Sequence, residues 1–425
     1  MIQVLSNSWA LLLGMGLLMV GNGMLASLMG TRGDIEGFST LELSIIISAY
    51  FAGFLVSSML TPAMIRRVGH IRVFAALGSF VSAALILFPA VTEVWAWTIL
   101  RMVVGFCFCG LYVTAESWLN HSATNETRGQ TLSAYMIVQV TGIIVGTGLL
   151  TTADPSGWML FVIPSVLISI AFTPILLSVS PTPTFETTKP MGLAELFRTS
   201  PLTFVGMFLL GGIFAAQFGM SSVYGTEAGL SDQRKVIFVA AFFVGTLVLQ
   251  YPIGWLSDRM DRRILILGSA ALGGVAALVG FFLGFNFHLL VGVAFLVGGV
   301  SNPLYSLLIA YLNDYLPSED MPAAAAGLLF VNGLGAIAGP PATGWLMRSM
   351  GPGGFWALVA AMLLGIAFYA AYRMSQRSAP AVEDTGAFVS VLPTASPIAV
   401  EVAQEWAIEQ AEEAEEAGDA AQPAA

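Results

Sequence analysis

Charge is what this chain has least of. Only 10% of its 425 residues are Asp, Glu, Lys or Arg, where an ordinary soluble domain carries about 25%. A full 56% are hydrophobic, and a single soluble core stops growing at roughly 250–300 residues. No soluble arrangement hides that much apolar surface. Cysteine is nearly missing too: Cys107 and Cys109 lie two apart in one apolar stretch. On a helix they point to different sides, so they read as small packing residues and not as a disulfide or a metal pair. The three histidines, His70, His121 and His288, all fall at the ends of apolar runs. No Gly-Lys phosphate loop is present, which argues against an ATP-driven pump. No nucleophile–base set is visible inside the apolar runs. The sequence therefore points to no enzyme and no cofactor. A basic surface for nucleic acid is also missing. The net charge is -10, but residues 376–425 hold ten acids and only Arg377 as a base, so most of it belongs to that tail. No positive stretch precedes the first apolar run, and no cleavable signal peptide is expected.

What the chain has in quantity is apolar runs of about 20 residues, each long enough to cross ~30 Å of hydrocarbon as a helix. Twelve are expected: 8–30, 43–65, 72–91, 95–118, 130–151, 157–179, 201–224, 236–257, 264–284, 287–312, 322–347 and 353–373. Lys and Arg placement sets the orientation. With the N-terminus inside, eleven basic residues fall in inside segments and four (Arg32, Arg234, Lys235, Arg348) in outside loops. That excess predicts both termini in the cytoplasm.

The chain also repeats itself. At a shift of 192, "AYFAGFLV" (49–56) meets "AFFVGTLV" (241–248), and "GFS" (37–39) meets "GLS" (229–231). At 193, "LYVTAESWLN" (111–120) meets "LYSLLIAYLN" (304–313). A nearly constant offset over five spans indicates two six-helix halves. The expected organisation is a bundle over 1–180, a linker over 181–200, a second bundle over 201–375 and an acidic, disordered tail over 376–425.

Twelve spans in two similar halves resemble the major facilitator superfamily. The resemblance is most specific in the loop "YPIGWLSDRMDRR" (251–263), where five of six residues from Asp258 to Arg263 are charged. Gly254, Asp258, Arg259, Arg262 and Arg263 match the family signature between spans 8 and 9. Asp261 stands where the family usually has Gly. The first copy, "PAMIRRVGHIR", keeps Arg67 and Gly69 but has Pro62 and Arg66 in place of Gly and Asp. "RMVVG" (101–105) resembles the span-4 signature without its Gln. "RGQTLSAYM" (128–136) and "ES" (116–117) are most similar to the YcaD-like branch of bacterial inner-membrane carriers. The resemblance covers about residues 8–374.

It implies an all-α integral membrane protein with the two-bundle fold, acting as a monomeric secondary transporter of a small molecule by alternating access. Spans 1, 4, 7 and 10 would line the cavity, flanked by 2, 5, 8 and 11. Polar residues at mid-span become cavity candidates: Asn22, Tyr50, Tyr112, Tyr135, Gln139, Gln217, Asn302, Tyr305 and Asn332. For each, an interhelical hydrogen bond is an equal alternative. Two charged residues lie clearly within a span, Arg101 and Glu116, and a charge there costs at least ~2.5–3.5 kcal/mol. Arg101 reads as a cation for an anionic substrate or for proton movement, or else as a structural arginine on span carbonyls. Glu116 reads as a proton carrier or as a partner of Arg66, Arg67 or Arg72. Pro303 is expected to break span 10 and free carbonyls. The loop charges Arg66, Arg67, Arg72, Asp258, Arg259, Arg262, Arg263 and Asp314 form a gate or fix topology only. The apolar, Met- and Phe-rich spans suit an amphipathic substrate. A second reading, from another class, is a non-transporting receptor or partner-docking protein that uses the acidic tail.

Overall fold

In hydrocarbon every backbone polar group needs an internal partner, which a helix supplies within one segment. The computed structural model describes residues 2–122, 125–177, 191–284, 286–317, 320–376, 388 and 391. Among the described residues there is no strand. Among those residues twelve helices are long and apolar enough to span. In the first half they are Ser8–Ile35 (α1), Thr40–Val68 (α2), His70–Leu87 (α3), Val94–Leu119 (α4), Gln130–Thr152 (α5) and Met159–Leu176 (α6). In the second they are Pro201–Glu227 (α7), Asp232–Ser257 (α8), Arg262–Leu283 (α9), Phe287–Asn313 (α10), Met321–Met350 (α11) and Gly353–Met374 (α12). Every expected span is found. The expected linker 181–200 is described only from 191 onward, where it carries a short helix, Leu193–Thr199. The Met191 N–H donates to the Ala323 carbonyl at 2.8 Å. The acidic tail lies outside the described residues except for Phe388 and Val391.

The halves pack by one plan. In the first, α2 lies on α4, α1 on α5, and α3 on α4 and α6; in the second, α8 lies on α10, α7 on α11, and α9 on α10 and α12. Glycines make the tightest crossings at repeat-equivalent places. A Cβ on Gly53 or Gly105 would run into the backbone carbonyl of Met102 or Tyr50; on Gly245 or Gly298 it would run into that of Phe295 or Phe242. All four partners are backbone, which cannot swing aside. Small residues of this kind let membrane helices approach closely, since apolar packing gains little over lipid. Gly298→Val is therefore expected to cost ~1–3 kcal/mol by overpacking. A melting temperature several degrees lower in detergent is the check.

The two signature loops turn differently. Gly69, between α2 and α3, has φ +86°, a conformation suited to glycine. Its repeat counterpart Asp261 has φ -54° and caps α9, its Oδ1 accepting from Arg263 N–H at 2.9 Å. The second loop can do without the family's Gly because its backbone never enters the left-handed region.

One expectation is corrected. Helix α10 runs unbroken through Pro303, from Phe287 to Asn313. Helix α7 departs from regularity instead, with a π-helical turn over Ala216–Met220. Such turns recur at functional sites, and Gln217 sits on this one.

Candidate functional site

Between the two bundles lies a cavity of roughly 1060 Å³, counted with its open side. Ligand pockets commonly measure about 300–1,000 Å³. The first bundle contributes α2 and α5, and the second contributes α7, α8, α10 and α11. Its walls are mostly apolar and carry six phenylalanines: Phe51 and Phe54 from the first bundle, Phe214, Phe218, Phe242 and Phe243 from the second. Its polar lining is Tyr50, Ser58, Gln139, Gln217, Thr246, Asn302 and Asn332. None of these is charged.

The polar groups are held in place. Gln217 Nε2 donates to Ser301 Oγ at 3.0 Å. Asn302 Nδ2 donates to Thr246 Oγ1 at 2.8 Å, and Asn332 Nδ2 to the Met207 carbonyl at 3.0 Å. Each amide is thus anchored to the protein through at least one N–H.

Of the ten expected cavity residues the structure brings five to the wall: Tyr50, Gln139, Gln217, Asn302 and Asn332. The other five stand outside the wall. Tyr112 packs behind Phe54, ring centroids 6.0 Å apart, and Tyr305 behind Phe214 at 6.1 Å. These repeat-equivalent tyrosines thus support the lining rings. Asn22 Nδ2 donates to the Tyr112 hydroxyl at 3.4 Å, and that hydroxyl donates to Met19 Sδ at 3.2 Å. Arg101 lies with its guanidinium carbon 4.7 Å from the centre of the Tyr50 ring, a cation–π stack. It is 3% exposed, and its Nε and Nη1 have no hydrogen-bond partner among the described residues. Nearer the terminal face, the Tyr135 hydroxyl donates to Glu116 Oε1 at 3.0 Å, both groups being buried.

The face opposite the termini is shut. There the Thr40 hydroxyl donates to Glu227, the Ser222 hydroxyl to the Ser27 carbonyl, and Ser48 Oγ to the Ile337 carbonyl at 2.6 Å. Each of these bonds joins one bundle to the other. Lys235 adds a buried cation. Its Nζ donates to Thr31 Oγ1 across the bundles at 2.7 Å and pairs with Asp232 at 2.8 Å. Sequence reasoning placed Lys235 only in an outside loop and missed this clasp. A charge-assisted hydrogen bond is worth ~1.5–3 kcal/mol. Thr31→Val is thus expected to shift the population toward a state open on that face by about tenfold or more. Nitroxides replacing Ile35 and Ala228 should report a longer separation.

On the terminal face the charges of the loop 251–263 are all engaged. Arg262 pairs with Asp314 and also donates to the Ala310 carbonyl at 3.3 Å, and both side chains of the pair are 3% exposed. Arg263 pairs with Asp261 at 2.8 Å. Burial raises the Asp261 carboxyl, but the Arg263 hydrogen bonds outweigh it and hold that group below its ordinary value. Arg259 lies over the Trp255 ring at 4.2 Å. The pair Arg262–Asp314 joins α9 to α10, so it acts within one bundle and not across the two. In the first half Gly69 forms its turn, and Arg66, Arg67 and Arg72 are exposed beside it.

Two matching bundles, shut on one face around a shared cavity, define a multi-pass membrane protein of the transporter type. The chain belongs to the Major Facilitator Superfamily, whose profile matches residues 11–240 and again 237–405. The MFS-type transporter YfkF of Bacillus subtilis is 26% identical over 338 residues, covering 77% of this chain and 85% of that one. The MFS-type transporter YcaD of Escherichia fergusonii is 26% identical over 322 residues, covering 74% and 81%. Among solved structures, the nucleoside transporter NupG superposes with a TM-score of 0.72 at 14% identity, over 87% of this chain and 99% of that one. A bacterial homologue of the human lysosomal transporter Spinster, inward-facing and unoccupied, gives 0.66 at 13%, over 96% and 98%. The YcaD-like resemblance read from the sequence agrees with these relatives.

Proposed function

We propose that the chain is a secondary active transporter of the bacterial inner membrane that moves an amphipathic, aromatic or aliphatic small molecule. Both termini lie in the cytoplasm, and residues 1–180 and 201–375 rock as rigid bundles about the cavity. The observation that carries this reading is the cavity itself: it is built from both halves, walled by rings and dotted with fixed neutral amides. The amide oxygens of Gln217, Asn302 and Asn332 serve as acceptors for a substrate's donor groups. A small polar solute would gain little from six phenylalanines. Arg101 and Glu116, one layer back, supply the charge for an anionic substrate and for proton coupling. The carrier works as a monomer without a cofactor, and no enzymatic step is assigned to it.

A thermal-shift screen of purified protein against metabolites and drugs tests this, because a ligand that binds the folded state raises its stability. Amphipathic ligands should raise the melting temperature, and Asn332→Leu should reduce that shift while the unliganded protein still folds. Ligands whose shift survives both Asn332→Leu and Gln217→Leu would bind elsewhere and remove the cavity from the mechanism.

A further inference from the structure

The carrier reading makes no use of Phe388 and Val391, yet both sit against the C-terminal bundle. The Phe388 N–H donates to Asp258 Oδ1 at 2.9 Å. Val391 bonds twice to one side chain: its N–H donates to Ser306 Oγ at 3.0 Å, and that hydroxyl donates to the Val391 carbonyl at 3.1 Å. A hydroxyl used in both directions reads main chain, much as a neighbouring strand would. The Val391 side chain is 5% exposed and belongs to the hydrophobic core. Gly254 completes the seat, since a Cβ there would lie 2.8 Å from the Phe388 ring. The spacing is consistent. Ser306 precedes Asp314 by eight positions, about 12 Å of helix inward from the terminal face. Phe388 and Val391 are three residues apart, ~10 Å at full extension.

We infer that the terminal-face mouth of the C-terminal bundle is a docking seat for a peptide, occupied by this chain's own Phe388 and Val391. Asp258 and Ser306 hold its main chain, Gly254 admits the aromatic ring, and the core takes the branched aliphatic three residues on. Phe388 occupies Asp258 of the charged loop, and Val391 occupies Ser306 on α10. The carrier reading rests on the cavity and not on Gly254, Asp258 or Ser306. The seat itself does not depend on that reading.

Cysteine protection tests the seat directly, with the buried Cys107 and Cys109 replaced by alanine in the full chain. Val391→Cys keeps a small apolar side chain and every main-chain bond. It should react with a water-soluble maleimide at least about tenfold more slowly than Ala424→Cys, as a closed local structure protects its groups. Gly254→Leu, which fills the place of the ring, and Ser306→Ala, which removes both hydroxyl bonds, should each erase that protection. Neither should change the elution profile in detergent. The inference is overturned if Val391→Cys and Ala424→Cys react alike. It is equally overturned if the protection persists in both Gly254→Leu and Ser306→Ala. No substrate is needed, so failure here is separate from failure of the carrier reading.

Discussion

Arg101→Met should abolish transport and leave the protein at least as stable as before. Both halves of that expectation come from its surroundings. The guanidinium is buried behind Tyr50, with Nε and Nη1 lacking partners among the described residues. Unpaired buried charge is costly, and replacing buried ionic groups by apolar ones of similar size is often neutral or stabilising. A structural arginine bonded to span carbonyls would behave in the opposite way and lower the melting temperature. A cation retained at such cost fits a task, consistent with the common trade of stability for function. Tyr50 covers Arg101 in this conformation, and the account assigns its working contact to the state open on the other face. Flux in proteoliposomes should fall about a hundredfold or more, equivalent to ~2.7 kcal/mol in barrier terms. Near-normal flux with Arg101→Met would remove the residue from the mechanism.

Glu116→Gln is expected to separate exchange from accumulation. The carboxylate is buried in α4 with the Tyr135 hydroxyl on its Oε1. Glutamine keeps that acceptor and the side-chain volume but cannot carry a proton. Substrate exchange at equal pH should therefore survive, while uphill uptake driven by a proton gradient should vanish. Tyr135→Phe leaves the carboxylate in place, so gradient-driven uptake should persist. Counterflow measured beside gradient-driven uptake in the same vesicles distinguishes the cases. If Glu116→Gln loses both, its role is to hold α4 and α5 together. If it loses neither, the coupling proton travels elsewhere.

The spans were legible because length and hydropathy alone decide whether a helix can cross a bilayer. The duplication was legible because close helix crossings admit only glycine, and Gly53, Gly105, Gly245 and Gly298 carry that constraint into the letters. Arg262 and Asp314 were legible as charges at helix ends, but which arginine pairs with Asp314 depends on how α9 meets α10. Half of the ten mid-span candidates line the cavity wall. The other half do not, because a polar residue on a cavity-bordering span faces either the wall or the layer behind it, and helical phase in a helix apolar all round is not written in hydropathy. Asn22 and Tyr112 satisfy one another behind α2 for that reason. The π-helical turn at Gln217 carried no sequence signal that was used, although "FAAQFGM" places a lone amide in an apolar run. Lys235 was read as a topological charge, since its depth depends on how α8 meets α1. The seat of Phe388 and Val391 was hidden by the acidic residues on either side, which dominate the composition of the tail.

Alternating access is the central claim, and reciprocal distances test it most directly. One spin-label pair replaces Ile35 and Ala228 on the face that is shut. A second pair sits at Leu119 and Asn313, the terminal-face ends of α4 and α10. Each pair should show two separations, and a ligand found by thermal shift should lengthen one as it shortens the other. A single, unchanging separation at both faces, with and without such a ligand, would contradict the account.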